Sequence, residues 1–181
     1  MHNAADLIRQ IGTAREALLE TVGRLSNRQA DFKPEPHVWS VNEKLEHLVL
    51  AEVSGVSKIW AAAEGIRAGQ PVWTGEHTNA GLPIEEVILR TWKSKEIAPP
   101  IATPHIGGPL AYWMEYTRAS QFFLSRLEQA LRGLELRSVV FPHFISGPLD
   151  AGQRLEFLTF HIRRHHAQIQ SMMEASDFPR K

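Results

Sequence analysis

The chain has 181 residues, twenty basic and twenty acidic side chains that cancel, and no cysteine. That length allows one domain with a core of its own. The balanced charge gives no reason to expect nucleic acid or an anionic membrane as partner. The missing cysteines exclude disulfides, thiolate nucleophiles and Cys-ligated zinc, so any metal must take nitrogen or oxygen donors. Met1 to Asp6 shows no basic start followed by an apolar run, and no apolar span of membrane length occurs. A soluble cytoplasmic protein is expected.

From about Asp6 to Leu25, apolar residues recur at three- and four-residue steps (Leu7, Ile8, Ile11, Leu18, Leu19, Val22), the pattern of a first helix. Ser26 to Val38 carries Pro34 and Pro36 and reads as loop. Ser40 with Glu43 three residues on is a capping box, so a second helix is expected from there to Ala63 or Ile66. Its main stripe is Val41, Leu45, Leu48, Val53, Val56 and Trp60. Between Gly69 and Pro109 the periodicity weakens; Pro83 to Trp92 fits a short helix opening at proline. A third long helix is expected from Leu110 to Leu131, then a turn-rich loop over Pro142–Gly152. Asp150 and Gln153 form another capping box, opening a last helix that frays near Ser176–Pro179. With no convincing alternating strands, the fold class is all-α: a single four-helix-bundle domain over residues 1–181. A long irregular connection between the second and third long helices allows a topology other than up-down neighbours.

The last helix carries His161 and His165, four residues apart and therefore one turn above the other. On an ideal wheel of about 100° per residue the two rings border the stripe of Leu155, Leu158, Ile162, Ile169 and Met173, while Arg163 and Arg164 point towards solvent. An apolar face disfavours two titratable rings unless something pairs with them. The pair by itself is weak evidence for a metal site, which would need a third ligand; the plainer reading is two polar rings hydrogen-bonded inside or at the edge of a bundle. His161-Ile-Arg-Arg-His165 lacks the glutamate that follows the first histidine in zinc peptidases, which argues against that activity. By spacing, His47 falls nearly opposite the main stripe of its helix, beside Glu43, Ala51 and Ser54, as a surface or interhelix residue. His143 reads as a solvated loop histidine within reach of the metal side, and His2, His37, His77 and His105 as loop histidines. Trp39, Trp60, Trp113 and the phenylalanines are expected in the core.

The run Trp39-Ser40-Val41-Asn42-Glu43-Lys44-Leu45-Glu46-His47-Leu48, followed far downstream by His161-x-x-x-His165-His166-Ala167-Gln168-Ile169, resembles the DinB-like (DinB/YfiT) superfamily. Gly147-Pro148-Leu149-Asp150 before the last helix is similar too. The likeness extends over the whole chain in helix order. It implies a four-helix bundle that binds a divalent metal through one histidine of the second helix and the His-x-x-x-His pair of the last, here His47, His161 and His165. Three imidazoles leave a coordination position open, as in catalytic sites. Zinc or nickel is the first expectation for the ion, with iron, copper or manganese after them. Gln168, Glu43 and His166 are candidates for orienting a ligand or substrate, Glu43 more readily as a cap.

The resemblance leads to two readings of function. One is a metal-dependent enzyme of unknown substrate, a hydrolase or a thiol S-transferase, in which the metal activates water or a low-molecular-weight thiol. The other is a non-catalytic, stress-associated helical module that binds metal and acts through dimer or partner contacts. The partner expected is a small molecule rather than nucleic acid or membrane. A homodimer is the further expectation for a bundle with apolar outer seams.

Overall fold

In the computed structural model, residues 3–93 and 97–180 are described; the expectation for His2 falls outside them. The chain is mostly helical, with four long helices: α1 (Ala4–Val22), α3 (Val41–Arg67), α5 (Leu110–Ala130) and α6 (Ala151–Met173). Two short helices, α2 (Asn27–Ala30) and α4 (Ile84–Thr91), lie in the connections, and β1 (Val140–His143) pairs antiparallel with β2 (Gly147–Asp150).

The starts of α3 and α6 follow the sequence signals. Ser40 accepts from the Glu43 amide while Glu43 accepts from the Ser40 amide, and Asp150 and Gln153 do the same at α6. The reading of Ser26 to Val38 as loop is corrected: Ser26 and Gln29 form a third capping box and open α2. The four-residue helix buries Gln29 and Ala30, too short a run to register as periodicity. The expectation of no strands over Pro142–Gly152 is also corrected. Pro142 stands opposite Pro148 in the hairpin, and two prolines without amide donors hide the strand signal. Gly147, at φ 71°, takes the left-handed conformation that closes the loop Phe144–Ser146.

α1 packs on α5 and α6, and α3 packs on the same two helices, but α1 and α3 share no extended seam. The first two long helices thus lie across the bundle from one another, whereas α3 and α5, joined by the 42-residue connection from Ala68 to Pro109, pack side by side. One core cluster draws Leu7, Ile11, Leu18, Leu45, Ile59, Trp113, Leu124, Leu155 and Ile169 from all four. A smaller cluster joins Ile84, Val87 and Ile88 of α4 to Leu149 and Phe157, holding the connection onto the start of α6. Asn79 reinforces it by donating to the Ser146 and Pro148 carbonyls at 2.7 and 2.9 Å, and Gln153 by donating to Asn79 and Leu82 at 2.7 and 2.9 Å.

Candidate metal centre

The first turns of α3 are buried on almost every side: Val41, Asn42, Lys44, Leu45, Glu46, His47, Leu48 and Val49 are all covered. This corrects the surface placement that spacing suggests for His47, which is 6% exposed. A helix with one packed stripe shows its interior by period, but a helix covered on two sides does not. The second cover includes the segment around the 3₁₀ turn Pro100–Ala102, which packs on α3. Glu46, itself buried, accepts the backbone N–H groups of His105, Ile106 and Gly107 and pins that segment down.

His47 donates from Nδ1 to the Ala102 carbonyl at 2.7 Å, which leaves the Nε2 lone pair free. That Nε2 lies 3.0 Å from Nε2 of His161, and Nε2 of His165 lies 3.1 Å from the same atom. The three ring nitrogens fall within 4.8 Å of one another. One proton on His161 Nε2 can serve one of its two neighbours but not both, and three lone pairs turned inward repel. A cation satisfies all three, and the bond lengths of about 2.0–2.1 Å usual for imidazole on zinc place nitrogens at such separations. Among the described residues, Nδ1 of His165 is buried without a well-formed hydrogen bond, the Gln168 side chain being the group that approaches the ring. The donor set therefore fits a divalent ion.

Electrostatics keep the rings neutral and ready to ligate. Burial pushes His161 well below the usual imidazole value, and the neighbouring His165 and His47 rings push the same way. Burial brings His165 down to about 3, with His47 and Lys44 adding, and lowers His47 against the opposing hydrogen bond to Ala102. Trp39 lies against His47 with ring centroids 4.8 Å apart, and Phe157 stacks on His161 at 5.4 Å. Phe157 thus walls the site as well as filling the smaller core cluster, while Trp39, expected in the core, is half-buried on the cavity wall instead.

The histidines line a cavity of about 840 Å³, within the size range of small-molecule sites. Among the described residues that line it, none is Asp or Glu, while Lys44, Lys58, Arg154 and Arg164 are cationic. Arg164 is half-buried 5.5 Å from the Trp92 ring centroid, a correction to its expected solvent orientation. His143, expected as a loop histidine, ends β1 and is half-buried on this cavity. Its Nδ1 accepts the Ile145 and Ser146 amides at 3.2 and 3.1 Å, so the neutral ring carries its proton on Nε2. Burial, with Arg154 and Lys58 adding, lowers its pKa to about 3.

The other candidates lie as follows. Gln168 is exposed at the edge of the same cavity. Glu43 is engaged in its capping box and in an ion pair with Lys33 at 2.7 Å. His166 turns to α1, where Nε2 is 2.8 Å from the Thr21 hydroxyl. His37 and His105 are exposed in loops, and His77 contacts Gln153. Spacing did not single out Lys44 or Arg154. Arg154 carried a signal, because seven residues before His161 is two helical turns and the same face.

These features define a helical protein with three converging buried imidazoles on an open cavity. The chain belongs to the DinB superfamily, whose family profile matches residues 10–169. No curated protein and no solved structure matches it.

Proposed function

We propose that this chain is a single-domain, four-helix-bundle metalloenzyme of the DinB type, with a divalent ion, zinc or nickel first, held by His47, His161 and His165. The observation that carries the reading is the convergence of the three Nε2 atoms on the wall of a cavity. An open cavity of about 840 Å³ supports the catalytic reading over the non-catalytic module, whose metal would need no access. When bound, the ion supplies a Lewis acid that ionises water or a thiol near neutral pH.

The chain's own residues do the rest. The Ala102 carbonyl orients His47 and selects the tautomer that ligates through Nε2. Trp39 and Phe157 shield two of the rings from water. His143 presents an Nε2–H donor, and Gln168 a side-chain amide, to a small molecule in the cavity. The substrate is a small molecule, with a low-molecular-weight thiol as candidate cosubstrate. A cytoplasmic location and a homodimer are part of the same proposal. Among the described residues, no helix is long and apolar enough to cross a membrane.

Elemental analysis of protein purified without added metal tests the site. About one divalent ion per chain is expected in the wild type and less than a tenth of that in His161→Ala. A folded wild type without stoichiometric metal overturns the reading. Titrating the cobalt-substituted protein with bacillithiol, mycothiol or glutathione then separates the thiol version from the hydrolase: an unmoved spectrum sinks the transferase.

A further inference from the structure

Arg154 is 6% exposed, yet its guanidinium makes no hydrogen bond or ion pair with another described residue. Its one specific contact is with the Phe141 ring, 4.4 Å from the centroid. That stacking holds the plane of the group but leaves its in-plane N–H donors unused. A buried charge ordinarily finds a partner, because leaving it alone is expensive. The cost shows in the pKa, which burial lowers to about 10. The other deeply buried arginine, Arg15, has its carboxylate in Glu52.

The group faces space rather than packing. Arg154 lines the histidine cavity, and a β-carbon at Gly55 would lie 3.9 Å from its Nη2, so the absence of a side chain there keeps room beside the donors. His143, whose free donor is Nε2–H, lines the same cavity. Lys58 stands exposed at the rim and Arg164 is half-buried on the wall. The described lining residues include no carboxylate to pair with Arg154. The remaining wall is largely apolar, with Ile59, Phe157, Leu158 and Met172 among its residues. Lys44 donates to the Trp39 carbonyl, Arg164 lies over the Trp92 ring and Lys58 is at the rim. The donors left in the apolar surround are therefore one guanidinium fork and one imidazole N–H, which match an organic carboxylate, whereas a phosphate would need several converging donors to replace its hydration.

We propose that Arg154 is the carboxylate-binding residue of this cavity and that the substrate is a small organic acid. Its carboxylate pairs with the guanidinium while its reacting end faces the three histidines. The orientation towards the histidines rests on the metalloenzyme reading above; the carboxylate subsite does not.

Calorimetric titration of the protein as purified with 3-phenylpropionate, 3-phenylpropionamide and phenyl phosphate tests it. The acid is expected to bind at least tenfold tighter than the amide and tighter than the phosphate. In Arg154→Gln the preference for acid over amide should fall below threefold, while Lys58→Gln at the rim keeps most of it. If Arg154→Gln melts too low to titrate, Arg154→Lys replaces it and should lose part of the preference, since the ammonium keeps charge but not the fork. Equal binding of acid and amide by the wild type overturns the proposal. So does an undiminished preference in a folded Arg154 variant, which would place the carboxylate on another group, or a preference for phenyl phosphate. Metal content measured on the same samples separates the two ideas. Stoichiometric metal without acid preference sinks the carboxylate subsite alone, and acid preference without metal sinks the metalloenzyme reading alone.

Discussion

Two buried polar clusters in this protein are built to opposite rules. In the first, Nη2 of Arg15 on α1 donates to both carboxylate oxygens of Glu52 on α3 at 2.7 Å, and Nη1 donates to Gln121 of α5. Charge meets charge where the helices meet, although Nε of Arg15 finds no partner among the described residues. In the second, His47 of α3 meets His161 and His165 of α6, with Lys44 and Arg154 nearby and no lining carboxylate among the described residues. Burial raises the Glu52 pKa, but Arg15 opposes it; the histidines are opposed by no charge, only by the hydrogen bonds of His47 with Ala102 and His165 with Gln168, and are pushed down. A buried polar group matched within the chain is architecture. One left unmatched beside a cavity is where a ligand belongs.

Breaking the closed cluster should give the largest effect on stability. Arg15→Met leaves Glu52 buried and unpaired and should cost about 3–5 kcal/mol in urea unfolding, whereas Arg15→Met with Glu52→Leu should recover most of the loss. Metal content should not change in the double variant; if it does, the two clusters are coupled and the contrast fails.

The open cluster should answer to its ligand instead. Removing metal with a chelator should lower stability by about 4 kcal/mol where free metal had stood a thousandfold above its Kd, or about 10 °C in Tm. No shift in Tm would mean that no ion is held there.

Acidification gives a smaller, graded effect on the metal-free protein. The folded histidines titrate below the unfolded value of 6.5, His165 at about 3, so the unfolded chain binds more protons across that window. Stability is whole above pH 6.5 and is lost as the pH falls towards 3, by up to about 1.4 kcal/mol per pH unit for each such histidine. Thermal melts from pH 7 to pH 4 check the slope, and His161→Ala should flatten it.

Glu46→Gln, which weakens the hold on the segment bearing Ala102, should reduce metal affinity about tenfold in competition with a chelating dye. Smallest of all, Ser40→Ala removes a helix cap and should cost about 1 kcal/mol with metal stoichiometry unchanged.

The parts of the site that were legible in the sequence are those written locally. His161 and His165 are four residues apart, and helix geometry alone stacks them. The capping boxes at Ser40 and Asp150 place the starts of α3 and α6 because donor and acceptor lie three residues apart in the chain. His47 was reached by resemblance and not by spacing, since its burial comes from a segment more than fifty residues downstream. The hairpin was hidden by facing prolines, and α2 by its length.

By itself, then, the sequence determined the long helices, their caps, the histidine pair on the last one and the family. Only the tertiary structure decided that α1 and α3 share no extended seam, that His47 turns inward beneath the Ala102 carbonyl, and that Arg154 is buried without a carboxylate among the described residues. The physical reason is range. Caps and helical faces follow from residues three or four apart, whereas the balance of a buried charge depends on which distant segments come to surround it.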